Sequence, residues 1–303
     1  MTDVPDGRKR HSGKVPICGV TIALGVFAGL AYVGSADRTT LSYAVAALIL
    51  LAMGLLDDRQ GLSCFLRLFG QIFAASIVAC SGIPLVSLPG DGVWPLELML
   101  TVAFLVATIN AINFLDGADG LAGGCALFSS VTMIIFAYRH DDAAALIFAW
   151  VLAGAILGFL FYNMHPARVF MGDTGSTFIG LTLGIAALMA IGGTDQRADL
   201  LPALMIIGVP VLDMSAVILE RLIKGCPPYK SDRNHIHHKL MALGLTHGRT
   251  VFILYCVQLT AVTSAILMAY NDILFFFMMF LLVSVPVRWA LANRSADSDT
   301  APR

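Results

Sequence analysis

The sequence predicts an all-α fold: a polytopic membrane protein with about ten transmembrane helices and both termini cytosolic. Three observations predict it. Of 303 residues, 58% are hydrophobic and 13% charged, whereas a soluble domain averages about 45–50% apolar and about 25% charged. Apolar stretches close to the ~20 residues that cross a ~30 Å hydrocarbon core recur along the whole chain. The basic residues divide very unevenly between the two sides across which those stretches alternate.

The first apolar stretch, 16–35, follows a polar start from Met1 to Lys14 without a cleavage-site pattern, so no cleavable signal peptide is expected. The second, 41–56, is short and runs into Asp57-Asp58. Then come 65–83, 96–112, 120–138 and 143–162. The seventh, 175–192, follows Phe170-Met-Gly-Asp173-Thr-Gly-Ser176. The eighth, 200–219, contains Pro210 and an acid, Asp213. The last two, 250–270 and 272–291, are separated by a tight turn at Asn271-Asp272. Phe275-Phe-Phe277 and Met278-Met279 in the tenth read as lipid-facing or packing residues. Residues 1–15 and 292–303 are polar tails of a single domain spanning 1–303, without internal repeats. The longest internal polar segment runs from Glu220 to Arg249.

Sixteen of the 19 Lys and Arg residues fall on the side of the termini, leaving Arg38, Arg139 and Arg197 on the other. The positive-inside rule makes the richer side cytosolic. Loops near 57–64, 111–119, 163–174 and 220–249 then face the cytosol. These loops hold the four polar clusters of the chain: Asp57-Asp58, the run from Asn110 to Gly120, the run from Phe170 to Ser176, and His235-Ile-His237-His238. A carboxylate costs roughly 2.5–3.5 kcal/mol at the centre of a membrane helix, so acids gathered at one membrane boundary point to function. The six cysteines are scattered and form no Cys-x-x-Cys pair, so neither a disulfide frame nor a zinc knuckle is expected. A net charge of −1 gives no argument for a nucleic-acid partner, and none is expected.

Each cluster allows particular chemistry. Adjacent helical residues point about 100° apart, so Asp57 and Asp58 share one ion only if the helix frays. Otherwise one faces the site and the other pairs with a cation. Asn110, Asn113, Asp116 and Asp119 are spaced by three, on one face as long as a helix continues; Gly117 and Gly120 are expected to break it. Such oxygen donors suit Mg²⁺ or Mn²⁺, with phosphate oxygens completing the shell. Asp173 stands near a helix start. It is either a plain N-cap or a metal ligand, with the amides of Thr174 to Ser176 free to face phosphate. The histidines lack a nearby cysteine for zinc, and imidazoles partly charged at neutral pH suit a diphosphate; a solvated polar loop is the plainer alternative. Asp213 is expected either to join the site or to pair with a basic residue. His165 and His247 read as structural residues.

In this order the motifs resemble those of the polyprenyl-phosphate N-acetylhexosamine-1-phosphate transferases, over nearly the whole chain and in the sugar-transferring branch. Arg8-Lys-Arg-His11 and the segment Ser231-Asp-Arg-Asn-His-Ile-His-His238 belong to the match. The resemblance implies that Asn113 and Asp173 hold Mg²⁺, and that Phe170 stacks on uracil with Asp119 at the base-reading position. It also implies that Arg67, His235, His237 and His238 face the diphosphate. Asp57, Asp58 and Asp116 match essential carboxylates, and Asn110 and Asn163 match polar substrate-side positions. The chain departs from the family pattern at Cys18-Gly19-Val20, where a glycine pair is usual. Members also carry a further helix ahead of the Arg8 segment, which only seven residues precede here.

The implied reaction, on the cytosolic face of a bacterial inner membrane, is attack of undecaprenyl phosphate on a UDP-N-acetylhexosamine. UMP leaves and a lipid-linked sugar diphosphate forms, the starting unit of an O-antigen, another surface polysaccharide or a wall polymer. N-acetylglucosamine is the expected sugar, and the oligomeric state, a homo-oligomer included, is open. A transporter is the competing class. It would carry repeats and polar groups near the bilayer midplane, where this chain has its acids at one face.

Overall fold

The computed structural model describes residues 18–34, 36–87, 93–193, 197–227 and 235–268. Its helices are α1 (Cys18–Val33), α2 (Arg38–Gln60), α3 (Cys64–Ala79), α4 (Trp94–Leu115), α5 (Leu121–Arg139), α6 (Ala143–Asn163) and α7 (Gly172–Gly192), followed by α8 (Leu200–Ile206), α9 (Gly208–Ile223), α10 (Ile236–Ala242) and α11 (His247–Met268). Local chemistry sets several boundaries. The side chains of Asp37, Ser63 and Asp142 accept the amides of Thr40, Leu66 and Ala145 and so cap α2, α3 and α6.

Helix α7 is the axis of the bundle: nearly all of its residues are buried, and α1, α2, α4, α5 and α6 pack around it. Its composition explains this placement. Gly180 and Gly184 lie against α4, where a Cβ on Gly180 would sit 2.5 Å from the Ile109 Cα. Small residues let membrane helices approach this closely. Tyr43 Oη and Thr182 Oγ1, both buried inside the bundle, bond at 2.8 Å.

Six described helices (α2, α4, α5, α6, α7 and α11) are long and apolar enough to cross a membrane. Helices α1 and α3, each 16 residues, are shorter. The eighth expected span is not one straight helix. It breaks at Ile207 into α8 and α9, bent by 95°. Gln258 of α11 sustains the break: its Oε1 accepts Val209 N–H at 2.8 Å, and its Nε2 donates to Ile206 O at 2.9 Å and Ser129 Oγ at 3.2 Å. These are the backbone groups that a broken membrane helix must satisfy internally. The tenth expected span and the Phe275 and Met278 runs lie outside the described residues, as does the Arg8-Lys-Arg-His11 segment.

One element departs from all-α. Strands β1 (Leu85–Ser87) and β2 (Arg197–Asp199) pair in parallel, Leu85 opposite Arg197. They join the loop before α4 to the loop after α7, at the end of the bundle opposite the polar clusters. Three residues per strand carry too little periodicity to be read from sequence.

Candidate active site

All four polar clusters meet at one end of the bundle, where α2, α4 and α6 finish and α3, α5, α7 and α11 begin. The two adjacent aspartates divide their work. Helix α2 continues through Gln60 and closes at Gly61, whose φ of 68° favours glycine. Asp57, buried, accepts Leu62 N–H at 2.6 Å and the Arg67 guanidinium at 3.0 Å. Asp58 points the other way. It accepts the amides of Asp173 at 2.9 Å and Thr174 at 3.2 Å and the Thr174 hydroxyl at 2.6 Å.

Asp58 therefore caps α7 from a neighbouring helix, and Asp173 is not the N-cap; it lies in the first turn, after Met171. The expectation that the amides of Thr174 to Ser176 face phosphate does not hold. A protein carboxylate already takes Thr174 N–H, Gly175 N–H bonds to Met171 O, and Thr174 and Ser176 are fully buried. Close approach makes this cap possible. A Cβ on Gly54, one turn before Asp58, would lie 2.4 Å from the Thr174 Cα, and one on Gly19 of α1 would lie 2.3 Å from Gly175 N. Of Cys18, Gly19 and Val20, Gly19 is thus the position that admits no side chain, while Cys18 and Val20 are half-buried.

The Asp173 side chain turns toward α3 and α4. Its Oδ1 accepts Asn113 Nδ2 at 2.8 Å, and its Oδ2 lies 4.0 Å from Arg67. Asn113 Nδ2 also reaches Ser176 Oγ at 2.8 Å. Asn110 donates to Gln71 Oε1 at 2.7 Å. A small open cleft is lined by Asp57, Arg67, Gln71, Asp173 and Thr177 together with the apolar Leu50, Met53 and Gly54. Its donors are carboxylate, amide and hydroxyl oxygens, a set that fits a hard divalent cation bound together with phosphate. Asp58 does not line the cleft.

A second group forms around the α4–α5 loop. Helix α4 ends at Leu115, Asp116 is its C-cap, and Gly120 starts α5 with a φ of 77°, so the expected break at the glycines is present. Asp119 accepts His165 Nδ1 at 2.9 Å and Ala167 N–H at 3.0 Å. Partial burial opposes its ionisation, but the amide and imidazole prevail and hold the carboxyl below its ordinary range. Asn163, buried, accepts Gly120 N–H at 3.0 Å and donates to Val169 O at 2.9 Å. It clips the loop that carries Asp119 to the loop that carries half-buried Phe170.

The histidines form the third group. Asp213, fully buried in α9, accepts His235 Nδ1 at 2.8 Å and Ile236 N–H at 2.7 Å. The His235 ring meets Phe114 edge-on at 5.5 Å, and Arg221 lies over the same Phe114 ring at 5.7 Å. His237 is buried against Gly117, where a Cβ would lie 2.6 Å from its Nε2, so α10 docks beside Asp116. Burial, then the neighbouring His238, push the His237 pKa down to about 4. Arg67, Asn113 and Asp173, which the family resemblance assigns to the metal and the diphosphate, lie together in the structure. The sequence reading missed Gln71, which stands one helical turn after Arg67, and it left Asp213 between joining the site and pairing with a basic residue; the structure sets it against His235.

Fold and site together define a multi-pass membrane protein with an acidic, oxygen-rich site at one end of its helix bundle. The family model for glycosyl transferase family 4 matches residues 40–191, the stretch that carries α2 to α7. The chain is 33% identical over 291 residues to a probable undecaprenyl-phosphate N-acetylglucosaminyl 1-phosphate transferase of Bacillus subtilis (strain 168), covering 93% of this chain and 81% of that one. It is 35% identical over 272 residues to an undecaprenyl-phosphate alpha-N-acetylglucosaminyl 1-phosphate transferase of Escherichia coli (strain K12), covering 84% and 72%. A decaprenyl-phosphate N-acetylglucosaminephosphotransferase of Mycolicibacterium smegmatis is 38% identical over 238 residues, 70% of this chain and 59% of the relative. The chain belongs to glycosyl transferase family 4.

Proposed function

We propose that this chain transfers N-acetylglucosamine-1-phosphate from UDP-N-acetylglucosamine to undecaprenyl phosphate, on the cytosolic face of a bacterial inner membrane, and releases UMP. The observation that carries this reading is the convergence of Asp57, Arg67 and Asp173, from three helices, on one cleft at the end of an apolar bundle, with Asn113 of a fourth helix bonded to Asp173. The names of the relatives support the same reading. A site at the end of the bundle serves one greasy substrate and one water-soluble one.

Phosphoryl transfer depends on alignment and charge neutralisation more than on covalent help. A lipid phosphate oxygen bonds to the sugar-bearing phosphorus, and the bond from that phosphorus to the UMP oxygen breaks. A phosphate monoester has its second pKa near ~6, so the attacking oxygen is already largely ionised at neutral pH. Arg67, braced by Asp57 at 3.0 Å, presents positive charge to the phosphates. Asp57, which lines the cleft, takes any residual proton, whereas Asp58 is committed to the amides of α7. A Mg²⁺ ion, with Mn²⁺ as a substitute, would be held by Asp173 and Asn113 and would neutralise diphosphate charge. Asp116, His235, His237 and His238 complete the diphosphate side. Phe170 and Asp119 face the uracil, and Asn163 holds their two loops in register. The product is a lipid-linked sugar diphosphate that starts a surface polysaccharide, O-antigen among them.

Purified protein in liposomes containing undecaprenyl phosphate tests this with a panel of labelled UDP-sugars. Lipid-soluble label that depends on Mg²⁺ and is greatest with UDP-N-acetylglucosamine is the expected result. Uptake of intact nucleotide sugar without lipid-linked product overturns it. Single-cysteine labelling from the two sides of the membrane should place positions near 57, 116 and 173 on the cytosolic face.

A further inference from the structure

We propose that Asp119, His165 and His247 form a binding site for a divalent transition-metal ion such as Zn²⁺, separate from the acidic cleft. Each residue offers one donor atom, and these atoms lie within 4.8 Å of one another; among the described residues no other group of three such donors is that close. The three come from separate segments: the α4–α5 loop, the α6–α7 loop and the first residue of α11. None of them lines the cleft.

Two observations point to a ligand. Both ring nitrogens of His247 are shielded from solvent and have no hydrogen-bond partner. Buried polar atoms are normally satisfied, so such a pair calls for an explanation. The His165 and His247 rings also stack at 4.2 Å, 23° from parallel. Metal takes the neutral imidazole, and this packing brings donor atoms of the two rings within 4.8 Å of one another. Asp119 is already oriented for the task, because the Ala167 amide holds the same Oδ2 that meets His165. Carboxylate ligands are commonly steadied by such outer partners. Two imidazoles and one carboxylate suit zinc, with a fourth position left for water, and suit magnesium poorly. If Asp119 also faces the nucleotide, as the proposed function has it, the bound ion competes with the sugar donor.

The test is a Zn²⁺ titration of the full-length protein in detergent, without a polyhistidine tag and without substrate, read by competition with a chromophoric chelator. One equivalent is expected for the unaltered chain. His247→Gln and His165→Gln should each weaken binding by at least about 100-fold, since losing even an outer partner costs about 10–100-fold. Asp173→Asn and His238→Gln should retain the equivalent. The His165 side chain is 55% exposed, so His165→Gln decides the matter if His247→Gln fails to fold. Absence of stoichiometric binding, unchanged binding in His165→Gln, or loss of the equivalent in His238→Gln overturns the proposal. Because no substrate is present, failure here leaves the transfer reaction untouched, and failure of the reaction leaves the metal site untouched.

Discussion

The Asp58 carboxylate accepts the backbone N–H of Asp173 at 2.9 Å, so α2 caps the first turn of α7. The same side chain takes the Thr174 amide and hydroxyl. Asp57, one residue earlier, instead holds Arg67 at the cleft. Two acids that read as equivalent in sequence therefore have separable effects. Asp58→Ala strips partners from three donors, at roughly 1–3 kcal/mol for each one left buried and unsatisfied. It should lower the thermal unfolding temperature in detergent as well as activity. Asp57→Asn should unfold close to the unaltered chain while its UMP release falls by about 100-fold or more.

The closeness of α2 to α7 gives a sharper test of packing. Gly54→Ala places a Cβ 2.4 Å from the Thr174 Cα, a backbone atom that has no rotamer to escape into. It should sharply reduce the yield of monodisperse protein. Gly158→Ala is the contrast: nothing lies within 4 Å of its Cβ position, on the exposed face of α6. That substitution should be neutral or stabilise by about 0.5–1 kcal/mol. Size-exclusion profiles and melting temperatures of the two variants compare them directly.

His237 predicts a pH response. Its folded pKa of about 4 lies below the ~6.5 of an unfolded histidine. Between those values the unfolded chain holds a proton that the folded chain refuses, so stability declines as pH falls from about 6.5 toward 4. Asp119, held below its ordinary carboxylate range, adds a loss that begins at lower pH, as the medium reaches the unfolded carboxylate's range. Melting temperatures measured across pH 7.5 to 4.5 should fall, and His237→Gln should flatten the fall between 6.5 and 5.

Gln258 holds the 95° break between α8 and α9, and α9 carries Asp213, the acceptor for His235. Gln258→Leu should leave Val209 N–H unpaired in an apolar setting, costing about 1–3 kcal/mol, while Ile206 O keeps the Ser129 hydroxyl at 2.7 Å. Through α9 it should also disturb the histidines. A lower melting temperature together with a raised KM for the nucleotide sugar is expected, and an unchanged KM contradicts the link to His235.

Much of this architecture was legible because apolar length is a strong signal: α2 and α4 to α7 fall close to their expected ranges. The 95° bend was not legible. Pro210 marks the segment, but the group that satisfies the broken backbone is Gln258, about fifty residues later in the chain, and single-chain patterns do not reveal such partners. The acidic cleft was legible through Asp57 and Asp173, whose carboxylates are costly to place at a membrane boundary without a use, and Arg67 joined them through the family resemblance. Gln71 carried the same signal, a lone amide one turn beyond Arg67 in an apolar helix. The split between Asp57 and Asp58 depends on which helix approaches Gly54, a tertiary fact. His165 and His247 looked isolated because their closeness arises only when α11 packs onto the loops that follow α4 and α6.

The central claim is that acids from separate helices make one phosphoryl-transfer site, with Asp173 at its focus. UMP release from UDP-N-acetylglucosamine in the presence of undecaprenyl phosphate and Mg²⁺, compared between the unaltered protein and Asp173→Asn, tests it most directly. The account predicts robust release by the first and a loss of at least about 100-fold in the second, with both equally folded. Near-normal turnover by Asp173→Asn would contradict it.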